Sequence, residues 1–159
     1  MAEIFMNWQA LNGQNGHEVG RQLLRQLYEA HVGGDMPRIV IADRGKPHFA
    51  TGNWHFSISH SKNRAFCVLA DRPVGIDAEE MDRNINLSIA PKILSEGELA
   101  QFEASEDPRD TLLRFWVLKE ATAKRTGEGI GWHPRHTDFK LPDDRITEID
   151  GCLVAVVCE

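Results

Sequence analysis

Hydrophobic positions along this chain switch between two periods. Between His17 and His31, Leu23, Leu24 and Leu27 gather on one side of a helical repeat, with Arg21 and Arg25 on the solvated face; Gly33-Gly34 supplies the stop. From Trp54 to Ile58 the period drops to two. Trp54, Phe56 and Ile58 point one way and His55, Ser57 and Ser59 the other, which predicts a strand. Ala65 to Ala70 pairs with it across the hairpin-forming residues Ser59 to Asn63. Further strands are predicted over Ala2 to Trp8, Arg38 to Ala42 and Val74 to Glu79, and Asp43 to Gly52 reads as a turn-rich connection. Helices are predicted at Leu87 to Ile93, Ser95 to Glu103 and Arg109 to Thr126. In the second of these, Ser95 as N-cap and Glu98 three residues on form a capping box. Gly127, Gly129 and Gly131 end the long helix, and strands follow near Thr137 to Leu141, Arg145 to Ile149 and Leu153 to Val157. The pattern is α+β, in two similar-sized lobes, 1–72 and 73–159.

Composition narrows the class. With 159 residues and 42% hydrophobic content, the chain can bury one good core, or two small lobes sharing one. A formal net charge of −6 and the lack of any lysine or arginine run exclude general nucleic-acid binding. Cys67, Cys152 and Cys158 are odd in number and form no C-x-x-C pair, which fits reduced thiols better than a disulfide framework. The start carries Glu3 and Asn7 where a signal peptide would be basic and then apolar, and the apolar run Cys152 to Cys158 is too short to span a bilayer. The expectation is a soluble cytoplasmic protein with neither nucleic acid nor membrane as partner.

Two segments concentrate the chemistry. Val74-Gly75-Ile76-Asp77-Ala78-Glu79 puts Asp77 and Glu79 on one strand face, where they repel unless a cation sits between them. In Trp116-Val117-Leu118-Lys119-Glu120-Ala121-Thr122-Ala123-Lys124, residues Trp116, Glu120 and Lys124 recur every four positions and share one helix side. Carboxylate oxygens from two elements suit Mg²⁺, and a nearby lysine suits phosphate.

Both segments resemble hallmarks of the 4′-phosphopantetheinyl transferases, Sfp-like branch, here in a short form: G-[IV]-D-x-E and W-x-x-K-E-A-x-x-K. Gly45-Lys46-Pro47 is similar to the family's G-K-P, and Phe56-Ser57-Ile58-Ser59-His60-Ser61 to its F-N-x-S-H-S, with Ser57 where asparagine is usual. Leu23-Leu24-Arg25 and Leu94-Ser95-Glu96-Gly97-Glu98 extend the likeness, which runs from about Gly16 to Ile130. The resemblance implies two α+β lobes related by pseudo-twofold symmetry, with the active site between them. It implies transfer of the phosphopantetheine arm of coenzyme A, the co-substrate, to a serine of an apo acyl or peptidyl carrier protein, with release of 3′,5′-ADP. By the same resemblance Asp77, Glu79 and Glu120 hold Mg²⁺, Glu120 accepts the serine proton, and Lys124 and Lys119 meet phosphate. Lys46 and Pro47 lie along the adenine, Ser59 and His60 contact phosphate groups, and Arg25 with His17 faces the 3′-phosphate. An electropositive patch for an acidic carrier is expected from Arg83, Lys92, Arg109 and Arg114.

Taken singly, each signal has a plainer reading. Glu120 and Lys124 have the spacing of a helical salt bridge, Asp77 and Glu79 of a solvated strand end, and Gly45-Lys46-Pro47 of a common turn. His60 alone is a loop histidine, Trp116 a core residue, and His133-x-x-His136 a loop broken by Pro134. The order of the four motifs outweighs these readings. Two rival functions stay open, a coenzyme A- or nucleotide-binding module without transfer activity and a Mg²⁺-dependent phosphotransferase on a small hydroxyl substrate; no G-x-x-x-x-G-K-[ST] loop supports a P-loop version of the latter.

Overall fold

The computed structural model of the chain describes residues 2–43, 45–127 and 133–158, so Gly129 and Gly131, read as stops of the long helix, lie outside the described residues. Strand β1 (Ile4–Ala10) leads to helix α1 (Gly16–His31), the short strands β2 (Ile39–Ile41) and β3 (Pro47–Phe49), then β4 (His55–His60) and β5 (Arg64–Ala70). Strand β6 (Val74–Glu80) is followed by helices α2 (Ala90–Ile93), α3 (Glu96–Glu103) and α4 (Pro108–Thr126), and the chain closes with β7 (Ile146–Ile149) and β8 (Cys152–Cys158).

Two three-stranded antiparallel sheets result, ordered β1-β5-β4 and β6-β8-β7. In each, the first strand of the half pairs with the last, which takes the centre. From Ala65 to Ala70 and from Cys152 to Val157 these central strands are apolar because both of their faces pack against other elements. Ala65, Cys67 and Leu69 of β5 pack with Leu23, Leu24 and Leu27 of α1. The alternate residues Phe66, Val68 and Ala70 pack on Ile76 and Ala78 of β6 and on Cys152 and Val154 of β8. The other face of β8, Leu153, Ala155 and Val157, meets Leu113, Val117 and Ala121 of α4. Helix, sheet, sheet and helix therefore stack in that order, and the core between the sheets draws on both halves of the chain.

Local chemistry sets the ends of the helices. The Asn15 side chain accepts from Glu18 N at α1, Ser95 and Glu98 make the anticipated capping box at α3, and Asp107 caps α4 ahead of Pro108. Gly127 closes α4 in the left-handed conformation.

Three expectations need correction. The stretch Asp43 to Gly52 is not all connection, since Pro47–Phe49 pairs with Ile39–Ile41 as a small ribbon. The stretch Leu87 to Ile93 divides into a 3-10 turn at Leu87–Ile89 and the single-turn α2. No strand forms over Thr137 to Leu141. There the backbone is satisfied by α3 side chains instead: Phe139 N donates to Glu98 Oε2 at 2.7 Å, Leu141 N to Gln101 Oε1 at 3.0 Å, and Gln101 Nε2 donates to Phe139 O at 3.0 Å.

The halves are also joined by polar contacts. Ser57 Oγ accepts from Ile76 N and Ser59 Oγ from Ala78 N, both at 3.1 Å, so β4 hydroxyls supply acceptors along the edge of β6 that β8 leaves open. Arg64 of β5 reaches Glu80 Oε2 at 2.6 Å and Asp150 Oδ2 at 2.9 Å.

Candidate active site

The site depends on one close approach. A Cβ on Gly75 would overlap the carbonyl oxygen of Ala121 and crowd Arg125 N, so only glycine lets α4 lie this near β6. That proximity turns Trp116, Glu120 and Lys124 toward Asp77 and Glu79. Lys124 Nζ is 3.3 Å from Asp77 Oδ1, and Trp116 Nε1 donates to Glu79 Oε1 at 3.1 Å. Arg83, beyond the end of β6, places Nη1 2.8 Å from the same Glu79 oxygen.

Asp77 is 6% exposed, and its Oδ2 is buried with no hydrogen-bond partner among the described residues. Burial pushes its carboxyl up to about 7; Lys124 opposes the shift, while Glu79 and Glu120 add to it. Burial likewise raises Glu120, against the pull of Lys124 and Arg83 and with the push of Glu79. Asp77 feels the charge of both Glu79 and Glu120, and Glu120 that of Glu79, an electrostatic setting that a divalent cation relieves.

Hard oxygen donors and an orphaned buried carboxylate oxygen fit Mg²⁺ chemically. Even so, no three histidine, cysteine, aspartate or glutamate side chains converge at ligating distance among the described residues. Glu79 is turned to Arg83 and Trp116 instead.

Beside this cluster lies a cavity of ≈ 310 Å³. Gly45 and Lys46 of the turn before β3 and Pro47 at its start form one wall; Phe56, Ser57 and Ile58 of β4 form the second. The third is Glu120, Ala123 and Lys124 of α4, with Gly127 at its cap. Lys46 Nζ donates to Arg125 O at 2.9 Å, so the first half caps a terminal carbonyl of α4. Burial, and then the Arg125 charge, lowers the Lys46 pKa.

Of the residues expected at the site, Lys46, Pro47, Glu120 and Lys124 line this cavity, and Asp77 and Glu79 stand behind Glu120 and Lys124. Lys119 does not reach it. It is fully buried on another side of α4, 2.6 Å from Glu98 Oε1, and also donates to Pro134 O and Thr137 Oγ1, both at 2.7 Å. Ser59 is buried too, its oxygen taken by Ala78 N. His60, His17 and Arg25 are exposed on the first half and do not line the cavity; Gly16, next to His17, abuts the His60 ring. The expected electropositive patch is largely spent internally. Arg83 pairs with Glu79 and Arg114 with Asp110 and Glu148, while Arg109 donates to the carbonyls of Met81 and Arg83.

Sequence reading missed the link from Trp116 to Glu79 and the position of Arg83. The four-residue recurrence of Trp116, Glu120 and Lys124 carries the first signal; the second lies only in how the chain turns after β6.

The 4′-phosphopantetheinyl transferase superfamily matches this chain over residues 73–152, the span that carries Asp77, Glu79, Glu120 and Lys124. The chain belongs to that superfamily, in its Sfp-like branch. A 4′-phosphopantetheinyl transferase of Bacillus subtilis is 28% identical over 137 residues, 83% of this chain and 61% of that protein. The 4′-phosphopantetheinyl transferase HetI of Nostoc sp. is 33% identical over 121 residues, covering 70% and 51%. The AcpT transferase of Escherichia coli O157:H7 is 34% identical over 119 residues, covering 71% and 57%. The chain thus spans about half to three-fifths of the length of these superfamily relatives. Among the described residues, no helix is long and apolar enough to cross a membrane.

Proposed function

We propose that this protein transfers the 4′-phosphopantetheine moiety of coenzyme A to a serine hydroxyl of an apo acyl or peptidyl carrier protein, in the cytoplasm, releasing 3′,5′-ADP. One observation carries the reading. The turn Gly45-Lys46-Pro47 from the first half and Glu120 with Lys124 from the second line the same ≈ 310 Å³ cavity, with the buried carboxylate of Asp77 directly behind. Membership of the superfamily supports it, and the three free cysteines agree with a reducing compartment.

In this reading the first half, 1–72, takes the nucleotide end and the second, 73–159, takes the pyrophosphate and performs the chemistry. The shared strand order of the two sheets supports a pseudo-twofold relation between the halves. Pro47 stiffens the turn that lies along the adenine, while His60, Arg25 and His17, outside the cavity lining, are the groups that the resemblance assigns to phosphate. Lys124 and Lys46 place positive charge against the pyrophosphate oxygens. Asp77, Glu79 and Glu120 would hold Mg²⁺, which supplies further neutralisation of the pyrophosphate and leaving group when bound. Glu120, whose burial raises its proton affinity, accepts the proton of the incoming serine hydroxyl. The serine oxygen forms the new bond to phosphorus as the pyrophosphate P–O bond breaks. Ser59 and Lys119 act instead by holding β6 and α4 in place.

Incubation with coenzyme A, Mg²⁺ and an apo acyl carrier protein, followed by intact-mass spectrometry, tests this reading. A phosphopantetheine adduct is expected, and it should be lost in Asp77→Ala and Glu120→Gln proteins that remain folded. Binding of coenzyme A without any adduct would identify a binding module instead.

A further inference from the structure

We propose that Arg83 is a resident counter-ion that holds Glu79 out of the carboxylate cluster until a divalent cation exchanges with it. The inference rests on the metal site proposed above. Glu79 and Glu120 both bear on Asp77, yet among the described residues the three do not converge at ligating distance, and the reason is visible at Glu79. Its Oε1 takes both the Arg83 guanidinium at 2.8 Å and the Trp116 indole N–H at 3.1 Å. Asp77 is held separately by Lys124, which leaves Asp77 Oδ2 buried and without a partner among the described residues.

Charge explains why the exchange runs. With all three carboxylates ionised, two cations leave one negative charge uncompensated. A divalent ion that displaces Arg83 brings the cluster to neutrality, whereas one that binds beside Arg83 leaves it positive. Arg83 is well suited to move. Its own side chain is about two-fifths exposed, so water receives it when it leaves. Its backbone stays in place because Arg109 of α4 donates to the carbonyls of Met81 and Arg83. A hollow of ≈ 430 Å³ adjoins it, lined in part by Asp82, which offers an alternative anion. Arg83 is thus a positioning residue that sets metal affinity through Glu79.

Mn²⁺ binding to the full chain, followed by loss of the free-ion electron paramagnetic resonance signal, tests this. Mg²⁺ titrations followed by tryptophan emission run alongside, with Trp116→Phe assigning the change at Trp116. Wild type should bind and Asp77→Asn should not. Arg83→Ala and Arg83→Gln should bind roughly three- to tenfold tighter, since a competing ion pair is gone, and Arg83→Lys should return toward wild type. Both metals should alter Trp116 emission as Glu79 leaves the indole. Equal or weaker binding in Arg83→Ala and Arg83→Gln, with Asp77→Asn still inactive in binding, would overturn the role of Arg83 and leave the metal site standing. No Mn²⁺ binding by wild type would remove the metal site and this inference together.

Discussion

Lys119 Nζ sits 2.6 Å from Glu98 Oε1, and both side chains are fully buried. The pair ties α4 to α3, and its remaining hydrogen bonds are filled. Glu98 accepts from Ser95 N and Phe139 N, while Lys119 donates to Pro134 O and Thr137 Oγ1. Removing one partner leaves a buried charge uncompensated, so Lys119→Met should cost about 3–5 kcal/mol in urea unfolding. Adding Glu98→Gln should recover part of that loss, because the stranded charge goes while the acceptor for Ser95 N remains. A Lys119→Met protein of normal stability that no longer binds coenzyme A would show that this lysine serves ligand.

Gly75 sets the distance between β6 and α4. In Gly75→Ala the new methyl meets backbone atoms of Ala121 and Arg125, which cannot rotate away. The helix must withdraw, at a cost of roughly 2 kcal/mol or more, and Lys124 then parts from Asp77. Thermal unfolding and the transfer assay should both register the change. Gly20→Ala is the comparison: its methyl meets Cγ2 of Ile58, a side-chain atom where Gly75→Ala meets backbone, and it should cost less in thermal unfolding.

Ser57 and Ser59 replace missing sheet partners for β6. Alanine at either position orphans a buried N–H, of Ile76 or Ala78, and should destabilise by about 1–3 kcal/mol. For Ser59→Ala, isothermal titration should find coenzyme A affinity close to wild type. A large affinity loss at unchanged stability would return Ser59 to the ligand.

Asp77 makes stability depend on pH in the metal-free protein. Its folded carboxyl titrates at about 7, against about 3.9 for an unfolded chain. Between those values the unfolded chain has released a proton that the folded one keeps, so stability falls as pH rises through this window and the loss is complete above about 7. In chelator, Asp77→Asn should exceed wild type by about 2–4 kcal/mol at pH 8 and match it near pH 4. A gap that does not change with pH would show that Asp77 is not the source.

Much of the architecture is local in origin and was readable as such. The amphipathic repeat of α1, the Ser95–Glu98 capping box and the alternation across Trp54 to Ile58 all follow from residues close in sequence. The same holds for the carboxylates of β6 and the Trp116, Glu120 and Lys124 face of α4. Thr137 to Leu141 misled because its β-like residues satisfy their backbone through Glu98 and Gln101, some forty residues earlier. The resemblance gives Lys119 and Lys124 the same phosphate role, yet five residues on a helix turn one into the core and the other toward the cavity.

The chain by itself therefore determined the elements, the polarity of their faces and the residue types able to meet metal and phosphate, since those depend on spacing and side-chain chemistry. Tertiary structure decided which of those residues meet. Helix α4 touches β6 only because Gly75 has no side chain, and Lys46 reaches Arg125 O across seventy-nine residues. Glu79 turns to Arg83 and Trp116 because three carboxylates in one small space need cations, and which cation comes within reach depends on how the chain folds after β6.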